Sequence, residues 1–333
     1  MKALLSREPG GPETLELAEI ADPVAGPGQV LIANRACSIN FPDTLIIRDL
    51  YQFKPPRPFS PGSEVSGVVL SVGAGVTHVK PGDRVIALTL SGGLSEMAVA
   101  SAAKTFLLPE NVNFLTGASL LLTYGTSIHA LKDRARIKAG DTLLILGAAG
   151  GTGISAIELG KAYGARVIAA VSSEEKAEIA RKAGADDVVI YPQAPLSKDQ
   201  SKALADAFKA ACGPRGADIV YDAVGGDYSE PALRATAWEG RFLVIGFPAG
   251  IARLPLNLTL LKACDVCGVF WGAFTDRDPV RFNAEIAELF ELHAQGRISP
   301  LISQVLPLER GGDAIALLAD RKAVGKIVVR IGD

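Results

Sequence analysis

Residues 142–153 constrain this chain more than any other stretch. Thr142-Leu143-Leu144-Ile145-Leu146 is a short apolar run of the kind that forms a strand buried on both faces. It leads into Gly147-Ala148-Ala149-Gly150-Gly151-Thr152-Gly153, and helical character then continues to Tyr163. Strand, glycine-rich turn and helix in that order make the fingerprint of a dinucleotide-binding unit. Ala148, Gly150 and Gly153 fill its three small-residue positions, with alanine in place of the first glycine. The turn must be tight, the backbone must approach a pyrophosphate, and the helix must pack closely on the strand. Ala149, Gly150, Gly151, Thr152 and Gly153 are therefore candidates to hold phosphates at a helix N-terminus.

The surrounding sequence supplies the rest of such a domain. Strands are expected at 166–171, 187–190, 218–221, 241–245 and 265–270. Helices are expected at 173–183, with Ser173 as N-cap, at 201–212 and at 280–292. Alternating units of this size imply a doubly wound parallel sheet, a Rossmann-type α/β domain. A further helix is expected over 116–131, with Thr116 as its cap. The tip of the second strand chooses the nicotinamide cofactor. A carboxylate there binds the ribose 2′-OH of NAD. Here Val171 is followed by Ser172 and Ser173, with Lys176 one turn on. Two hydroxyls and an ammonium suit a 2′-phosphate, which favours NADPH; Glu174 and Glu175 count against it unless they point away.

The first hundred residues have another character. Short runs at 29–33, 65–72 and 84–88 alternate with Gly-Pro, Gly-Ala-Gly and Pro-Gly-Asp turns, as in a β-barrel or sandwich. A chain of 333 residues exceeds one core. Charges nearly cancel, 34 basic against 36 acidic, and no basic cluster marks a nucleic-acid partner. No apolar run is long enough for a membrane span, and the N-terminus lacks a leader's apolar core, so the cytoplasm is the expected location. The three histidines, His78, His129 and His293, are scattered and form no hydrolase triad. The four cysteines include Cys264 and Cys267, a lone pair on an expected strand that reads as buried apolar side chains.

Seven segments in order resemble the zinc-free quinone oxidoreductases of the medium-chain dehydrogenase/reductase superfamily. They are Asn40-Phe41-Pro42-Asp43, Pro61-Gly62-Ser63-Glu64, the turns at 72–76 and 80–85, Thr123-Tyr124-Gly125-Thr126, the loop 147–153, and Gly325-Lys326-Ile327-Val328-Val329. The resemblance spans the chain. It implies a GroES-like β-barrel domain of residues 1–122 and 295–333, a Rossmann domain of 123–294, and an active site in the cleft between them. In zinc-dependent relatives a Cys stands at the place of Asn40 and a His at that of Ser63. Asn and Ser are not effective zinc ligands, so no stoichiometric zinc is expected. The resemblance places Asn40 and Thr126 beside the nicotinamide, with Asn40 also available to an acceptor oxygen. Tyr191 is similar to a tyrosine near the 2′-phosphate. Val224, Phe247 and Val269 lie at strand ends. Phe270 and Trp271 are expected to wall the pocket or to pack in the core, and Lys326 is either a cofactor contact or a solvated charge. Tyr51 matches a proton donor of related enoyl-thioester reductases.

What these features imply together is NADPH-dependent reduction of a quinone or similar conjugated carbonyl. Reduction of enoyl-thioesters or 2-alkenals is a second reading, and an NADPH-binding protein with little turnover is a third. The apolar segment Leu260 to Gly272 is expected at the sheet edge. In the family this edge joins two subunits, so a homodimer through the sixth strand is expected.

Overall fold

In the computed structural model, which describes residues 1–332, the chain divides into two units. One comprises Met1–Leu122 and residues 300–332, the other Thr123–Ser299.

The first unit is built on strands. β1 (Lys2–Leu5) and β2 (Glu16–Glu19) form an antiparallel pair. The main sheet contains β3 (Gln29–Ile39), β4 (Glu64–Val72), β5 (Arg84–Leu88), β6 (Met97–Ser101) and β7 (Thr105–Leu107). β3 runs six residues beyond the apolar core expected for it, and its central residues alternate between full and partial burial. It pairs antiparallel with both β4 and β6. The inward set Val30, Ile32, Val65, Val85 and Leu94 forms the core. The chain returns at its end as β14 (Ile302–Pro307) and β15 (Lys326–Arg330). β15 lies antiparallel to β3, with Val328 opposite Ser38, and so places Lys326 at the end of β3 nearest Asn40.

The second unit contains a six-stranded parallel sheet. Its strands are β8 (Thr142–Leu146), β9 (Arg166–Val171), β10 (Asp187–Ile190), β11 (Ala217–Asp222), β12 (Thr236–Val244) and β13 (Asp265–Gly268). The order is β10-β9-β8-β11-β12-β13, with β8 central and fully buried. The order reverses beside β8, and ligands bind at such a switch point in open α/β sheets. Helix Gly151–Ala162 follows β8 directly. Ser127 Oγ bonds to Ser155 Oγ (2.7 Å) and Tyr221 Oη (2.9 Å), which ties helix Leu121–Ile128 to that helix and to β11.

Four local expectations are corrected. Thr116 does not cap a long helix. Asn113 accepts the Thr116 N–H at 2.9 Å and caps a single turn, Phe114–Gly117. A second helix then runs Leu121–Ile128 and opens into a π-helical turn, His129–Arg134. The expected helix at 201 begins at Lys198, because Ser197 and Gln200 form a reciprocal capping pair. β13 ends at Gly268, so Val269 and Phe270 follow the strand rather than belong to it.

Candidate functional site

The second unit carries the phosphate loop. Gly147 adopts φ +71°, a left-handed turn that glycine adopts without strain. A Cβ on Gly153 would lie 2.3 Å from the Gly147 carbonyl oxygen, so the helix can press onto the turn only with glycine there. Helix Gly151–Ala162 has Gly150 as its N-cap and no side-chain cap. The first intrahelical bond is Ile154 N–H to Gly150 O, 2.8 Å. The N–H groups of Gly151, Thr152 and Gly153 precede it and have no backbone acceptor among the described residues. Ala149 is buried. A bare helix N-terminus against a cleared turn fits the pyrophosphate of a dinucleotide.

At the tip of β9, Ser173 caps helix Glu174–Lys182 by accepting the Lys176 N–H at 3.3 Å. The Lys176 ammonium donates to Ser172 Oγ at 3.2 Å. Glu174 accepts from Arg181 Nη1 at 2.8 Å. Two hydroxyls and one ammonium thus gather at the strand tip. Tyr191 follows β10, buried against the Tyr228 ring with centroids 4.6 Å apart. Val224 follows β11; its N–H and that of Gly225 donate to Asp222 Oδ1, which fixes the loop. Phe247 and Phe270 are exposed after β12 and β13, and Val269 is fastened by its N–H to the Val244 carbonyl. Trp271 is buried, edge-on to Phe282, and lies across Gly125, where a Cβ would stand 2.2 Å from its ring. Thr126 is the next residue on that helix. It is half-buried, and its hydroxyl has no hydrogen-bond partner among the described residues.

The first unit contributes a buried polar cluster. Asn40 precedes helix Phe41–Ile46, and its N–H donates to Asp43 Oδ2 at 2.7 Å. Lys326 is 3% exposed, so it is not a solvated charge. Its ammonium donates to Asn40 Oδ1 at 2.6 Å and to Glu64 Oε2 at 3.2 Å. Ser38 also donates to Glu64 Oε2, at 2.5 Å, and the Leu122 N–H holds Glu64 Oε1 at 2.9 Å. The amide oxygen of Asn40 is thus committed. Its Nδ2 makes only longer contacts of 3.2–3.3 Å, to Ser38 and Glu64. Asp43 also accepts the Gly62 N–H, and burial pushes its carboxyl up to about 6. Tyr51 is half-buried; burial first, and the Asp43 charge second, push its phenol above the usual range. Ser63 Oγ is buried with no hydrogen-bond partner. The donor set at Asn40 and Ser63 does not fit zinc. The amide oxygen already holds a cation, and the remaining ligand is a neutral hydroxyl.

Sequence reasoning missed Ser38, Asp43 and Glu64 as members of this cluster. The signal was present in part: Ser63-Glu64 and Asn40-x-x-Asp43 stood in matched segments, and polar residues at strand ends in apolar surroundings need partners.

Comparison with known proteins gives the family. Residues 26–110 match the alcohol dehydrogenase GroES-like domain, and residues 151–291 match the zinc-binding dehydrogenase family. The chain is 39% identical to rat quinone oxidoreductase-like protein 2 over 96% of this chain and 89% of that one. It is 32% identical to human quinone oxidoreductase, over 99% and 97%. Among solved structures, Escherichia coli quinone oxidoreductase complexed with NADPH superposes with a TM-score of 0.89 at 30% identity, covering 99% of this chain and all of that one. The two units are accordingly a GroES-like domain and a Rossmann domain, and the chain belongs to the quinone oxidoreductase family of the medium-chain dehydrogenase/reductase superfamily.

Proposed function

We propose that this protein transfers a hydride from NADPH to a quinone or related conjugated carbonyl without zinc. The observation that carries the reading is the gathering of Ser172, Ser173 and Lys176 at the tip of β9, beside a loop cleared for a pyrophosphate. The NADPH bound to the Escherichia coli relative supports it.

When bound, NADPH supplies the hydride, and the chain supplies position and field. The N–H groups of Gly151, Thr152 and Gly153 hold the pyrophosphate. Ser172, Ser173 and Lys176 hold the 2′-phosphate, with Tyr191 nearby. Thr126 directs its unused hydroxyl to the nicotinamide, and Val224, Phe247, Val269 and Phe270 line its surroundings. Trp271, packed over Gly125, fixes the helix that carries Thr126. Asn40 is oriented by Lys326; its Nδ2 hydrogens, held only by long contacts, turn toward the acceptor oxygen as charge develops. Turnover with NADPH against NADH tests the cofactor, and an NADH preference would overturn it.

A second reading rests on Tyr51. Its phenol, like that of any tyrosine, is protonated at neutral pH, the form a proton donor needs. Reduction of enals or enoyl-thioesters requires a proton at carbon after hydride transfer. Tyr51→Phe is then expected to leave quinone reduction nearly intact while impairing enone reduction. Equal loss on both substrates would contradict that role.

A further inference from the structure

A second group of ligating side chains lies within the Rossmann unit. The π-helical turn His129–Arg134 sets His129 and Asp133 together, with Nδ1 of the imidazole 2.8 Å from Asp133 Oδ2. Such turns recur at functional positions. Glu285, from helix Pro279–Ala294, brings Oε1 to 3.6 Å from the same nitrogen. One ligand atom from each residue lies within 4.8 Å of the other two.

Glu285 provides the second observation. It is 2% exposed, and neither carboxylate oxygen accepts a hydrogen bond. A carboxylate buried without a donor takes up a proton or a cation. Two further groups face the cluster. Phe274 stacks on the His129 ring at 4.0 Å, and Arg281 Nη1 stands 3.5 Å from Asp133 Oδ2 on a largely exposed side chain.

The spacing fits. Metal–ligand bonds of about 2.1 Å set donor atoms about 3.0 Å apart at a right angle and about 3.4 Å apart at a tetrahedral one. The observed 2.8 and 3.6 Å bracket these values. One imidazole nitrogen and two carboxylate oxygens suit zinc, manganese, cobalt or ferrous iron rather than a thiolate-selective ion.

We propose that His129, Asp133 and Glu285 form a binding site for one divalent first-row metal ion, which clamps the π-helical turn to helix Pro279–Ala294. The site is separate from Asn40 and Ser63, and from hydride transfer; it stands whether or not the chain reduces quinones.

The test uses the full chain, treated with chelator, desalted, and titrated at neutral pH with cobalt(II) and with manganese(II). Calorimetry counts the ions, cobalt absorption reports the ligand field, and thermal unfolding reports the clamp. One ion per chain is expected, with a raised Tm. Glu285→Gln and Asp133→Asn should each weaken binding by at least ~10-fold and remove the Tm gain. Cys267→Ser should bind as the wild type does. Asp133 is partly exposed, so its variant keeps the test sound if Glu285→Gln fails to fold. No saturable binding into the millimolar range would overturn the proposal. So would equal binding by the wild type and both variants, loss of binding in Cys267→Ser, or a Tm that responds to pH but never to metal.

Discussion

Lys326 holds an ammonium group almost out of reach of water, between an amide oxygen and a buried carboxylate. Removing one partner of a buried pair strands the other charge, at a cost of about 3–5 kcal/mol. Lys326→Met is expected to destabilise the chain by that order, read by denaturant unfolding; a loss under about 1 kcal/mol would mean that Glu64 is satisfied without it. Asp43 gives a pH signature. Its carboxyl sits at about 6 in the folded chain and at about 3.9 when unfolded. Between these values the folded chain holds a proton that the unfolded chain has released. Stability from this group therefore falls as pH rises from about 4 to about 6, by roughly 3 kcal/mol, and stays low above. Wild type should lose stability relative to Asp43→Asn across that window. A difference independent of pH would contradict the assignment.

The phosphate loop and the tip of β9 work as elements rather than as single side chains. Gly153→Val forces a side chain into the Gly147 carbonyl, so it should abolish NADPH binding, followed by cofactor fluorescence. Lys176→Glu should act differently. It puts a carboxylate in place of the ammonium, so a 2′-phosphate is repelled rather than held, and KM for NADPH should rise by ~10-fold or more while kcat at saturation stays near wild type. An unchanged KM would place the 2′-phosphate elsewhere. The Rossmann elements were legible in the sequence because buried strands and amphipathic helices each leave a period, and because glycine must stand where a turn meets a helix. The segment 113–134 was not legible. Asn113 and Thr116 are both acceptable caps, and nothing local signals a π-helical turn. The polar cluster was only half legible. Asn40 was found by motif, but its bond to Lys326 joins residues 286 positions apart, a pairing that only the antiparallel register of β15 on β3 creates. His129 and Asp133 have helical i,i+4 spacing, whereas Glu285 comes from a distant helix.

At the scale of the whole molecule, β13 is one of the two edges of the parallel sheet, opposite β10. Leu260, Leu261, Val266 and Phe270 are exposed along or beside it. An apolar edge with unpaired backbone groups invites a second strand, which is the basis for proposing a homodimer there. Val266→Lys should then shift sedimentation toward a monomer, and a wild-type monomer would contradict the proposal. No helix among the described residues is long and apolar enough to cross a membrane. The proposed reaction is hydride transfer from NADPH to a conjugated carbonyl. Steady-state consumption of NADPH and of NADH, measured against quinones, enals and enoyl-thioesters on chelator-treated protein, tests it most directly. Turnover of quinones with NADPH is expected, with slower turnover with NADH and no loss of rate after metal removal. Quinones left unreduced, or a rate restored only by zinc, would contradict it.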